Sequence, residues 1–173
     1  LESMVVAVAR ELGFSEHRMS DLRLLAKFHD IGKVGIKDQI LFKPAKLSDE
    51  EMAAMRQHCA IGYRIAQASP DLVPIAEWIY KHHEWWDGSG YPLGLVGESI
   101  PLECRILSIA EAFDAMVRDR PYRKGLPQEY AVEELYRCAG SQFDPELVPV
   151  FVQTVESIRK GKVLSFEGFK KVD

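Results

Sequence analysis

Four histidines and several carboxylates stand where a helical chain would turn them inward: His29 with Asp30, His58, His82 with His83, Glu111 and Asp114. Adjacent histidines are costly in a core unless their ring nitrogens are used, so His82 and His83 read as metal ligands. The glycine-rich stretch that follows, DGSGYPLGLVGESIP from Asp87 to Pro101, reads as the lip of a substrate site. Imidazole and carboxylate without thiolate suit iron, manganese or zinc. A carboxylate next to a histidine can also bridge two ions that share a water. The alternative for each group alone is a satisfied helix-end or surface residue, as His17 reads by itself.

Helices must position these groups. Leu1, Met4, Val5, Val8 and Leu12 recur at helical spacing, with Gly13 as a stop. Ser20 is placed to cap a second helix whose face runs Leu22, Leu25, Phe28 and which closes at Gly32. Residues 34–47 show no sustained period and predict an irregular connection. Ser48 to Glu51 forms a capping box, opening one helix with Met52, Met55, Cys59, Gly62 and Ile65 on its inner side and His58 among them. Ile75, Trp78 and Ile79 lead to His82 and His83 on the next helix. Pro101 opens a helix with Ile106, Ile109, Ala110, Phe113 and Met116 inward, on which Glu111 and Asp114 are neighbours. A further helix runs from Pro127 to about Ala139, and Asp144-Pro145-Glu146 caps a last one to about Arg159. With no strand alternation, the expected fold is all-α, a domain over 1–160 with a tail at 161–173.

The chain has 173 residues, enough for one core, and a formal net charge of −4. That balance argues against a duplex nucleic-acid binder. Cys59, Cys104 and Cys138 are widely spaced and read as buried thiols in a reducing, cytoplasmic setting. No membrane-length apolar run or signal peptide is present, so no membrane insertion is expected. The abrupt start inside an apolar-periodic segment suggests a fragment of a longer protein.

The set HDIGK (29–33), His58, HHE (82–84), DGSGYP (87–92) and RPYR (120–123) resembles the HD-GYP phosphodiesterases over about Leu1 to Glu156. The resemblance implies an HD-superfamily helical bundle with a metal site in its core, of two or three divalent transition ions, iron or manganese. It implies hydrolysis of cyclic di-GMP to linear pGpG or GMP in bacterial second-messenger signalling. His29, Asp30, His58, His82, His83 and Glu111 would be metal ligands, with Asp30 the bridge. Lys33 would act with Asp30 in catalysis by contacting the scissile phosphate. Gly90, Tyr91 and Pro92 would form the named loop, with Tyr91 free to stack on guanine. Asp114, Arg120, Arg123 and Lys124 would complete the substrate site. Expected partners are an upstream receiver or sensory domain, a GGDEF-type diguanylate cyclase domain, and a second copy pairing through the first helix.

Two features depart from the family pattern. A further histidine ligand belongs about one turn before Leu1, outside this chain. Glu111 stands where the family has aspartate, and its extra methylene moves the carboxylate. The alternative is a degenerate domain that binds a cyclic dinucleotide or a protein partner without turnover.

Overall fold

The computed structural model describes residues 1–119, 124–159 and 161. Its helices are α1 (Glu2–Glu11), α2 (Glu16–Phe28), α3 (Asp38–Leu41), α4 (Asp49–Arg56), α5 (His58–Gln67), α6 (Ala76–Lys81), α7 (Leu102–Val117), α8 (Gln128–Arg137) and α9 (Leu147–Arg159). Short 3-10 turns occupy Ile31–Gly35, Val73–Ile75 and Gly97–Ser99. Among the described residues there is no strand, only the isolated bridges Asp87 to Val96 and Ala139 to Phe143. The fold is the expected all-α bundle. No helix among them is long and apolar enough to cross a membrane.

The core joins α1, α2, α6, α7, α8 and α9 through residues such as Val5, Leu22, Leu25, Ile79, Ile106, Leu135 and Phe151. Helix α1 packs into the chain's own core through Val5, Val6, Val8 and Ala9.

Several boundaries differ from the sequence expectation. Ser15, not Ser20, caps α2, its hydroxyl accepting from the Arg18 amide at 3.3 Å. His17, expected in a loop, therefore sits exposed on that helix beside Asp21. Helix α2 ends at Phe28 rather than Gly32, so HDIGK spans a helix end and a 3-10 turn. The irregular 34–47 segment holds the one-turn α3. The helix opened by Ser48 has its capping box, yet breaks at Gln57 into α4 and α5. Met52 therefore points to solvent, 39% exposed, instead of into the core. Apart from Gly161, the tail expected over 161–173 lies outside the described residues.

Close packing at two glycines decides where the polar groups meet. A Cβ on Gly32 would lie 1.9 Å from the His58 carbonyl oxygen and 2.5 Å from the Gly62 amide nitrogen. A Cβ on Gly62 would lie 2.8 Å from the Ile79 side chain. The turn after His29-Asp30 thus rests on the α5 backbone, and α5 rests on α6. Gly32→Ala should destabilise the chain by about 3 kcal/mol or more, because backbone rather than a side chain must yield. Urea unfolding of the two proteins checks this, and equal midpoints would contradict it.

Candidate metal centre

His29, His58 and His82 each occupy or follow a helix end where the backbone supplies an unused carbonyl. Nδ1 of His29 lies 3.1 Å from the Ala26 oxygen, Nδ1 of His58 is 2.7 Å from that of Met55, and Nδ1 of His82 is 2.7 Å from that of Ile79. A carbonyl only accepts, so each Nδ1 carries the proton and each Nε2 keeps its lone pair. All three rings are buried. This i to i−3 contact selects the tautomer a metal ligand needs.

The donor atoms fall into two groups. His29, Asp30 and Glu111 form one; His58, Cys59, His82 and His83 form the other; within each, the ligand atoms lie within 4.8 Å of one another. The Asp30 carboxylate spans the groups, with Oδ2 3.6 Å from His29 Nε2 and Oδ1 3.6 Å from His58 Nε2. Asp30 Oδ1 and His82 Nε2 are buried without a hydrogen-bond partner in the described structure. Buried polar atoms are almost always satisfied, so two orphans facing one cluster mark a place for a cation. The donor set of imidazoles and carboxylates fits divalent transition ions.

The electrostatics agree with this fit. Burial alone would raise the Asp30 carboxyl, but the Lys33 ammonium at 2.5 Å, with His29 and His82, holds it below its ordinary value. Burial lowers His58, and burial with His83 and His29 drives His82 well down. Burial, reinforced by His58, brings His83 down to about 3. These imidazoles are neutral at pH 7, the form that ligates. Burial raises the Glu111 carboxyl despite the pull of His29.

The loop is seated by a group whose role was not read from the sequence. Glu84 is 3% exposed, and its carboxylate accepts from the Leu93 amide at 2.6 Å and the Leu95 amide at 2.9 Å. A carboxylate directly after the histidine pair, facing a glycine-rich run of free amides, was the available signal. Gly90 is required because a Cβ there would lie 2.2 Å from the Trp85 nitrogen and 2.6 Å from the His83 oxygen. Tyr91 consequently stacks on His83, ring centroids 4.8 Å apart at 30°, and its amide donates to the His83 oxygen at 3.1 Å. The Tyr91–Pro92 bond is cis. At the far end, Trp86 and Asp87 amides donate to Gln142 and Ser141, and Arg105 binds Asp144 at 2.7 Å.

Asp114, Arg120, Arg123 and Lys124 are the remaining predicted substrate contacts. Asp114 lies one turn beyond Glu111, outside both donor groups, and its carboxylate accepts from Arg118 at 3.1 Å. Lys124 is exposed beyond α7. Arg120 and Arg123 lie outside the described residues. Cys59, read as a plain buried thiol, is fully buried as expected but lies against the second donor group, Sγ 3.6 Å from His58 Nε2. Burial pushes the Cys59 thiol up to about 12, so no thiolate joins the imidazoles and carboxylates.

The HD domain family profile matches residues 1–147. A cyclic di-GMP phosphodiesterase of Thermotoga maritima is 44% identical over 153 residues, covering 87% of this chain and 42% of that protein. The cyclic di-GMP phosphodiesterase response regulator RpfG of Xanthomonas campestris is 42% identical over 148 residues, 84% of this chain and 39% of its own length. The chain thus spans about two fifths of these relatives. A crystal structure of a cyclic GMP-AMP specific phosphodiesterase from V. cholerae superposes with a TM-score of 0.69 at 24% identity, over 90% of this chain and 42% of that one.

Two outcomes follow. In chelator, the folded chain keeps His58, His82 and His83 neutral while the unfolded chain protonates them below about pH 6.5. The unfolded state then binds more protons, so stability falls as pH drops from about 6.5 towards 3. Urea midpoints across this range check it, and a flat profile between pH 6.5 and 5 would contradict it. Glu84→Ala removes the buried carboxylate to which two amides donate, and should cost about 2–4 kcal/mol and raise hydrogen exchange at Leu93 and Leu95. Unchanged exchange there would remove Glu84 from its anchoring role.

Proposed function

The chain belongs to the HD domain family, and from that premise we propose that it is a metal-dependent phosphodiesterase domain acting on cyclic di-GMP. The observation that carries this reading is the Asp30 carboxylate set 3.6 Å from an imidazole nitrogen on either side, between two donor groups. His29, Asp30 and Glu111 would hold one divalent ion, and Asp30, His58, His82 and His83 a second, with iron or manganese the ions proposed. Bound there, the ions would polarise the phosphoryl oxygens and activate the attacking water.

The chain's own residues supply the rest. The three protonated Nδ1 atoms hold the rings in orientation through their carbonyl partners, so no rotation is needed when a ligand arrives. Lys33 donates to Asp30 Oδ2, and from there its ammonium would meet the negative charge that grows on the scissile phosphate. Tyr91, held on His83, closes the centre from the loop side. Arg120, Arg123 and Lys124 remain proposed phosphate contacts, and Asp114 a proposed substrate contact acting from its pair with Arg118. The names of the relatives support cyclic di-GMP as substrate, and the response-regulator relative supports an upstream receiver domain in the parent protein. A GGDEF-type partner and a cytoplasmic setting belong to the same reading.

Anaerobic incubation with manganese(II) or iron(II) should give pGpG or GMP from cyclic di-GMP, with turnover abolished by chelator. His29→Ala and Asp30→Ala should each lower kcat by at least about 100-fold. Undiminished turnover in either variant would refute the assignment. Tight binding without turnover would instead favour the degenerate receptor.

A further inference from the structure

Helix α4 presents one face that the core does not use. Asp49, Met52, Ala53 and Arg56 follow the i, i+3, i+4, i+7 spacing of a single helical stripe. All four are exposed. This stripe forms one wall of a cavity of about 450 Å³, whose other wall includes Tyr80, Tyr91 and Pro92. Tyr91 is the ring that stacks on His83, so the cavity opens beside the second donor group. Its volume lies in the range of small-molecule sites.

The cavity carries two groups of opposite charge, Asp49 and Arg56, beside the polar side chains of Gln57, Tyr80 and Tyr91. The Arg56 guanidinium lies 4.8 Å from the Tyr91 ring centroid, a cation–π contact that holds it at the cavity edge. Asp49 and Arg56 have no ion-pair partner among the described residues. They stand seven residues apart, about 10 Å along the helix axis. On the stripe between them lie Met52 and Ala53, and Gln57 and Ala60 also line the cavity. A slot with a fork of donors at one end and a carboxylate at the other does not suit a phosphate, which Asp49 would repel. It suits a base that carries acceptors on one edge and donors on the other. Guanine has O6 and N7 for an arginine fork, and N1–H and N2–H₂ for a carboxylate. Adenine has no such donor pair and no O6.

We propose that this α4 face is a guanine subsite, with Arg56 reading the O6/N7 edge and Asp49 the N1/N2 edge. The assignment rests on the phosphodiesterase reading of the adjoining centre and names the half of the substrate that this side of it would hold.

The test uses 5′-GMP and 5′-AMP, which carry no diester to cleave, in calorimetric titrations of the manganese-loaded chain and its Arg56→Ala and Asp49→Ala variants. The wild type should prefer GMP, and each variant should bind GMP about 5- to 100-fold more weakly while AMP changes little. Equal wild-type affinity for GMP and AMP would overturn the subsite. So would GMP binding that survives both substitutions, or equal losses for GMP and AMP, which would assign Arg56 to phosphate instead. GMP preference that falls in the variants, in a chain that never cleaves cyclic di-GMP, would support the subsite while refuting the phosphodiesterase reading.

Discussion

The structure depends on one carboxylate facing two ways. Asp30 reaches His29 through one oxygen and His58 through the other, both at 3.6 Å, and one of those oxygens is buried without a partner. A carboxylate with a buried, unpartnered oxygen is expensive unless positive charge compensates it. Lys33 supplies part of that charge from one side. The remaining demand, shared with the orphaned Nε2 of His82, is what fits the cluster to hold a cation.

The rest of the fold serves that placement. Gly32 brings the turn carrying Asp30 onto the α5 backbone at a distance no side chain permits, which is why His58 is within reach. Gly62 does the same between α5 and α6, bringing His82 and His83 to the other side. Glu84 then ties the loop down through two amides, and Gly90 lets that loop pass over His83 so that Tyr91 lies flat against it. Removing any of these leaves the same residues in the chain without the same atoms in contact.

Much of this was legible in the sequence because period and residue type report burial directly. The phases of His29, His58 and the His82-His83 pair predicted a shared interior, and the capping box at Ser48 is present. Helix ends were less legible. Ser15 and Ser20 are equally able caps by type, and only packing of Met19, Leu22 and Leu25 in the core selects the earlier start. Met52 has the spacing of a core residue, but the break at Gln57 turns α4 outward and leaves it lining a cavity. Glu84 was missed because its partners are backbone amides of the following loop, which no side-chain period encodes. Asp114 has the spacing of a donor, yet it pairs with Arg118, one turn further on.

The central claim is that Asp30 joins two ion sites. The most direct measurement is an anomalous-difference map from crystals of the manganese-loaded chain. The account predicts two peaks about 3.5–4 Å apart, one on each oxygen of Asp30, the first against His29 and Glu111 and the second against His58, His82 and His83. A single peak, or two peaks with Asp30 still bound only to Lys33, would contradict it.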